Sequence, residues 1–152
     1  MNEVQILIVN NDQSELDMLK HGLTDQGFSV HSTTSPHDAL QILKQTKIDV
    51  ALVDLMISQM NGLKFVRMLH NEFPQLISLL TSDYLLSPAQ LAKADTGAVG
   101  FIPTHCCFQN MADFVREKIA SQQAKKESTA SPRYPSRNSK LPFDIVSVQC
   151  TC

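Results

Sequence analysis

Apolar positions fall along this chain in two alternating rhythms. Val4, Ile6, Leu7, Ile8 and Val9 form a near-continuous apolar run that stops at Asn10-Asn11-Asp12, as expected of a strand buried on both faces. Asp12 followed by Glu15 predicts a capping box, and Leu16, Leu19 and Leu23 then recur at helical spacing until Gly27. Phe28 to His31 reads as a second, shorter strand. Ser35-Pro36-His37-Asp38 opens a helix with Ser at the cap, Pro at the first position and an acid in the first turn. Ala39, Leu40 and Leu43 supply its buried face. Val50 to Val53 is another apolar run; it ends on Asp54, and a helix follows from about Asn61 with Leu63, Val66 and Leu69 inward. Leu76 to Leu80 makes a fourth strand ending at Thr81-Ser82. Ser87-Pro88 opens a helix that Gly97 ends, Ala98 to Ile102 is the fifth strand, and a last helix runs from about Phe108 to Ser121. Met111, Phe114, Val115 and Ile119 are available there for packing.

Strands that alternate with helices predict an α/β fold: a doubly wound, five-stranded parallel sheet with helices on both faces. In such a sheet the ligand crevice lies beyond the carboxyl ends of the strands. Those ends carry Asn10-Asn11, Asp54, Thr81 and the residues after Ile102. The expected folded domain spans residues 1–121. From about Gln122 the composition shifts to Ser, Lys, Pro and Arg, so residues 122–152 are expected to be a disordered tail or linker. Leu141 to Val148 turns apolar again, and a separate output domain is not expected in so short a stretch.

Composition narrows the function classes. With 152 residues, 43% of them apolar, and a formal net charge of −2, the chain suits one soluble domain and shows no electrostatic footprint for nucleic acid. No apolar run approaches the roughly 18 residues of a membrane span. The start, Met-Asn-Glu-Val-Gln, lacks the features of a signal peptide, so a cytoplasmic protein is expected. Cys106, Cys107, Cys150 and Cys152 are then expected to be thiols; a metal or redox site is the lesser reading of their spacing.

Taken together, Ile6-Leu7-Ile8-Val9 leading into a polar trio, Asp54-Leu55-Met56 with Met60 and Gly62 behind it, Leu79-Leu80-Thr81-Ser82, and Gly97-Ala98-Val99-Gly100-Phe101-Ile102 resemble a bacterial response-regulator receiver domain over about residues 4–120. The resemblance implies a CheY-like, flavodoxin-like sheet of strand order 2-1-3-4-5. It also implies a part in two-component phosphorelay signalling rather than an enzyme's role. By position Asp54 is the phosphoacceptor, Thr81 the hydroxyl that follows the phosphoryl group, and Phe101 the switch aromatic. The pocket would hold Asn10, Asn11, Asp12, Met56, Thr81 and Thr104. Any Mg²⁺ would rest on Asn11, Asp54 and the Met56 backbone. A histidine kinase or a downstream signalling protein is the implied partner.

Departures from the family pattern shape the expectation. Asn10 and Asn11 stand where receivers carry two acids, and Thr104-His105 where they carry Lys-Pro. Those acids hold Mg²⁺, a hard cation that seeks charged oxygens, and the Lys supplies a point charge for the phosphoryl oxygens. Losing two negatives and one positive together leaves Asp54 among neutral groups, stable without metal, since crowded carboxylates repel. Phosphoryl transfer depends on cations that neutralise the equatorial oxygens. The expectation is an atypical receiver, a pseudo-receiver that binds Mg²⁺ weakly or not at all and acts mainly as a protein-binding module. The alternative is a working phosphoacceptor. A flavodoxin-like cofactor enzyme is more remote, because Asn10-Asn11-Asp12-Gln13-Ser14 contains no glycine to cradle a phosphate.

Blander readings stand beside these. Asp54 could simply end a strand, Thr81 suits any strand, Phe101 suits any core, Asp12 is first a helix cap, and His105 is first a solvated loop residue. A homodimer through the fourth helix, fifth strand and fifth helix is open. Receivers that form it regularly carry acids where Val99 and Gly100 stand, although Lys93, Asp95, Arg116 and Glu117 offer charges.

Overall fold

A computed structural model describes residues 3–57, 59–82, 100–104, 106–128 and 144–145. The helix expected from Ser87-Pro88 to Gly97, with Lys93 and Asp95, lies outside these residues, as do Val99 and His105.

The chain runs β1 (Gln5–Val9), α1 (Gln13–Asp25), β2 (Ser29–Thr33), α2 (Pro36–Gln45), β3 (Val50–Asp54), β4 (Met56–Ile57), β5 (Met60–Asn61), α3 (Gly62–Glu72), β6 (Ile77–Ser82), β7 (Gly100–Pro103), α4 (Phe108–Ser128) and β8 (Asp144–Ile145). The main sheet has the order β2-β1-β3-β6-β7-β8, and its pairs are all parallel. Its first five strands are the expected doubly wound sheet. β4 and β5 form a separate antiparallel hairpin.

Alternate residues of the central strands feed two cores. Ile6, Ile8, Val50, Leu52 and Leu79 pack with Leu16, Leu19, Met111 and Val115 on the α1 and α4 side. Leu7, Val9, Ala51, Val53, Leu80 and Phe101 pack with Ala39, Phe65, Val66 and Leu69 on the α2 and α3 side. A one-residue slip of β3 would exchange every side chain between the layers, so packing on both faces fixes its register.

The helix starts follow local chemistry. Asp12 caps α1 by accepting from Ser14 N and Glu15 N. Ser35 caps α2 by accepting from Asp38 N, with Pro36 in the first turn. Asn61 caps α3 by accepting from Leu63 N. Gly27, at φ 94°, takes the left-handed turn that ends α1.

Three expectations change. The capping box at Asp12 is half made, because the Asp12 amide donates to Asn10 Oδ1 and not to Glu15. The last helix passes Ser121 and continues to Ser128: Gln122 to Ser128 contains Gln, Ala, Lys and Glu with no Gly or Pro, and these are good helix formers. The thiol expectation fails for Cys107, which is disulfide-bonded. Cys106 is a buried thiol.

Candidate functional site

The carboxyl end of β3 is held by its neighbours on both sides. Val50 to Val53 are fully buried, and Asp54 is the first half-buried residue of the strand. In the β3–β6 ladder Asp54 stands opposite Thr81, and Thr81 stands opposite Ile102 of β7. Leu55 N donates to Thr81 O at 2.9 Å, and Gly62 N donates to Leu55 O at 2.9 Å. A Cβ on Gly62 would run into the Asp54 carbonyl. Only glycine lets the start of α3 close against the Asp54 backbone this tightly. The β4–β5 hairpin between them turns at Gln59, a non-glycine residue at φ 75°. Met56, on that hairpin, is 66% exposed.

At the end of β1 the site is built from an amide. Asn10 is 1% exposed and its backbone N donates to Thr33 O. Its Nδ2 donates to Glu15 Oε2 at 2.7 Å, while its Oδ1 accepts from Asp12 N at 2.8 Å. Both ends of the side chain are therefore used, one as donor and one as acceptor. An ionised carboxylate in its place would offer acceptors alone. Asn11 beside it is exposed, and Asp12 is turned to its cap. Glu15 is the residue that sequence reasoning missed. Its position in the chain reads wholly as a capping box, and its spacing from Asn10 carries no signal of this contact.

At the end of β7, Phe101 is buried in the α3-side core with Leu80 and Val53. Thr104 follows the strand; it is 4% exposed, and its backbone N donates to Ser82 O at 3.1 Å. The ladders thus bring Asn10, Asp54, Thr81 and Thr104 to one end of the sheet, with Asn11 and Met56 at its solvent rim. Among the described residues, no group of three or more His, Cys, Asp or Glu side chains is arranged to hold a metal ion.

Comparison with known proteins agrees with this geometry. Residues 6–116 match the family model described as response regulator receiver domain. The chain belongs to the response regulator receiver domain family. The Response regulator MprA of Mycolicibacterium vanbaalenii is 29% identical over 101 residues, which cover 66% of this receiver and 43% of that protein. The Heme response regulator HssR of Staphylococcus aureus is 28% identical over 89 residues, covering 59% of this receiver and 40% of that protein. The receiver therefore spans about two fifths of the length of these relatives. The fold matches a CheY-like receiver structure from Methanospirillum hungatei at a TM-score of 0.73, with 21% identity, over 82% of this receiver and 99% of that chain. A Thermotoga maritima response regulator matches at 0.70, with 22% identity, over 78% and 99%.

Receivers typically bind Mg²⁺ at the phosphorylation site. The donors in this one do not suit it. Mg²⁺ demands near-octahedral oxygen ligands and takes one or two carboxylates from the protein. The β1 end offers instead an amide already committed to Glu15 and Asp12, and a neutral exposed Asn11. Turning the Asn10 oxygen toward an ion would orphan the Asp12 amide. Among the described residues no helix is long and apolar enough to cross a membrane.

Proposed function

We propose that this receiver acts in two-component signalling mainly as a protein-binding module, with Asp54 taking phosphate slowly or not at all. The observation that carries this reading is the Asn10 side chain, buried and fixed through both of its polar atoms by Glu15 and Asp12. Losing one electrostatic contact to a transferring group costs about 3–4 kcal/mol, or hundreds-fold in rate. Here the paired acids and the Lys are both replaced. A histidine kinase or a downstream signalling protein is the partner class, and the cytoplasm is the expected compartment.

A second reading keeps Asp54 as a working phosphoacceptor, with Thr81 as the responding hydroxyl, Phe101 as the switch and a weak Mg²⁺ site on Asn11, Asp54 and the Met56 carbonyl. The register of Asp54 against Thr81 favours it. Intact mass after incubation with a small acyl phosphate, with and without Mg²⁺ and beside Asp54→Asn, separates the two. The binding-module reading expects no phosphate-sized gain within the time a typical receiver needs. Fast gain that requires both Mg²⁺ and Asp54 would establish the second reading instead.

A further inference from the structure

At the opposite end of the sheet from Asp54, a cavity of about 520 Å³ opens at the amino ends of β3 and β6. Its size falls within the range of small-molecule pockets, about 300–1,000 Å³. Leu43, Ile48 and Phe73 reach it from the α2–α3 core, and Ile77 and Ile119 reach it from the α1–α4 core. The two cores that the sheet separates therefore both contribute apolar wall here. α4 adds Gln122 and Gln123, because the helix continues past Ser121. Asn10, Asp54, Thr81 and Thr104 do not line it. The length of β3, roughly 13 Å at about 3.3 Å per residue, lies between the cavity and Asp54.

Charge around this apolar wall is unevenly matched. Asp49 and Glu72 line the cavity as carboxylates, against the ammonium of Lys47. Asp49 is half-buried and placed by the sheet: its N donates to Gln5 O at 2.9 Å, and its Oδ2 accepts from Gln5 N at 2.9 Å. That is the one hydrogen bond its carboxylate makes among the described residues, so Oδ1 keeps its acceptor capacity. Lys47 is exposed, a hydrated charge on a flexible stem. The backbone adds to the same sign. α2 and α3 both end at the wall, with Thr46 and Phe73 as their C-caps. Those caps take the Ile42 and Leu69 carbonyls, which leaves the last carbonyls of each helix as the negative end of its dipole. Lys44 and His70, the basic residues of those last turns, are exposed and outside the lining.

We propose that this cavity binds a small organic cation, an ammonium carried on an aromatic body. The body occupies the apolar space between Ile48, Phe73 and Ile119, and the ammonium donates to the open oxygen of Asp49. An anion of the same shape would meet two carboxylates and two helix C-termini. The site therefore selects by charge as well as by size. Its wall includes the residues that lead into β3 and β6, the strands that carry Asp54 and Thr81. This inference is independent of whether Asp54 is modified.

The test titrates the isotope-labelled full chain with tryptamine and with indole-3-propionate, which join the same indole body to an ammonium or to a carboxylate. Amide NMR shifts of Ile48, Asp49, Leu76 and Ile77 report occupancy, and those of Val53 and Asp54 are the distant reference. Tryptamine should saturate the first set with a Kd of about 1 mM or below, as a fragment does in a formed pocket. Indole-3-propionate should bind at least roughly tenfold more weakly. Asp49→Asn keeps an oxygen for the Gln5 amide but removes the charge, so the preference between the probes should shrink to about threefold or less. Ile119→Trp fills the space and should abolish the tryptamine shifts. Should either variant fail to fold, the two-probe comparison on the parent chain decides alone. Equal affinity for the two probes, shifts that gather at the Asp54 end, no saturable shift, or a preference that survives Asp49→Asn overturns the proposal. Tryptamine shifts that survive Ile119→Trp overturn it as well.

Discussion

Two regions meet at the carboxyl end of the sheet, and they differ in what they have kept. The β3–β6 pair keeps its whole scaffold: Asp54 opposite Thr81, the Leu55 amide on Thr81, and Gly62 closed against the Asp54 carbonyl. The flanking ends of β1 and β7 keep their backbone positions but carry neutral side chains, Asn10, Asn11 and Thr104. Backbone geometry and core packing constrain the first region whatever the site does. Charge in the second region is useful only if a cation or a phosphoryl group must be held. On the proposed reading the frame serves shape, while the flanks lack the charge that phosphoryl chemistry uses.

The largest effect should come from restoring the flanks. Asn10→Asp, Asn11→Asp and Thr104→Lys, combined with Glu15→Gln to relieve the new carboxylate, should raise Mg²⁺-dependent phosphate uptake by at least several hundred-fold, given about 3–4 kcal/mol per restored contact. The readout is the rate of mass gain with a small acyl phosphate. An unchanged rate would break the comparison, since the missing charge would then not be what limits phosphate uptake at Asp54. Next in size is Phe101→Ala. Phe101 is 1% exposed against Leu80 and Val53, and emptying such a site costs about 3–5 kcal/mol. Urea unfolding measures it. A cost under about 1 kcal/mol, the range of a surface change, would show that the frame is looser at β7 than its burial implies.

Much of that frame could be read in the sequence. The Val50–Val53 run announced a strand buried on both faces, and Ser35-Pro36 announced a helix cap, because burial period and capping are local properties of the chain. Other features depend on distant or very short pairings. The β4–β5 hairpin pairs two residues with two and has no apolar alternation to detect. Glu15 satisfies a capping pattern in sequence, yet its carboxylate goes to Asn10, a choice made by the turn after β1. β8 joins β7 across more than forty residues, and no local pattern marks that register. The composition change at Gln122 reads as the end of order, although helix-forming polar residues carry α4 on to Ser128.

Gly62→Ala probes the scaffold at closer range. The added Cβ would meet Asp54 backbone atoms, which cannot swing aside as a side chain can. Overpacking of this kind costs typically 1–3 kcal/mol, and a rigid backbone contact argues for about 3. Gly27→Ala is the control: its Cβ meets nothing within 4 Å, but φ is +94°, so only the cost of a left-handed residue remains, about 1–2 kcal/mol. Equal losses in urea unfolding would mean that the closure of α3 on Asp54 is not tight.

The smallest effect is the most specific to the flank. Asn10→Asp alone replaces the Nδ2 donor with a second carboxylate facing Glu15 Oε2 across a 2.7 Å contact. The lost hydrogen bond and the unpaired buried group together should cost about 2 kcal/mol at neutral pH. Glu15→Gln supplies an amide that can donate to the carboxylate introduced at position 10. Adding Asn10→Asp to that background should therefore cost under about 0.5 kcal/mol, leaving a coupling of about 1.5 kcal/mol in the double-mutant cycle. A cycle that closes with no coupling would show that Asn10 is held by the Asp12 amide alone. Its neutrality would then be incidental to Glu15, and the flank's loss of charge would need another cause.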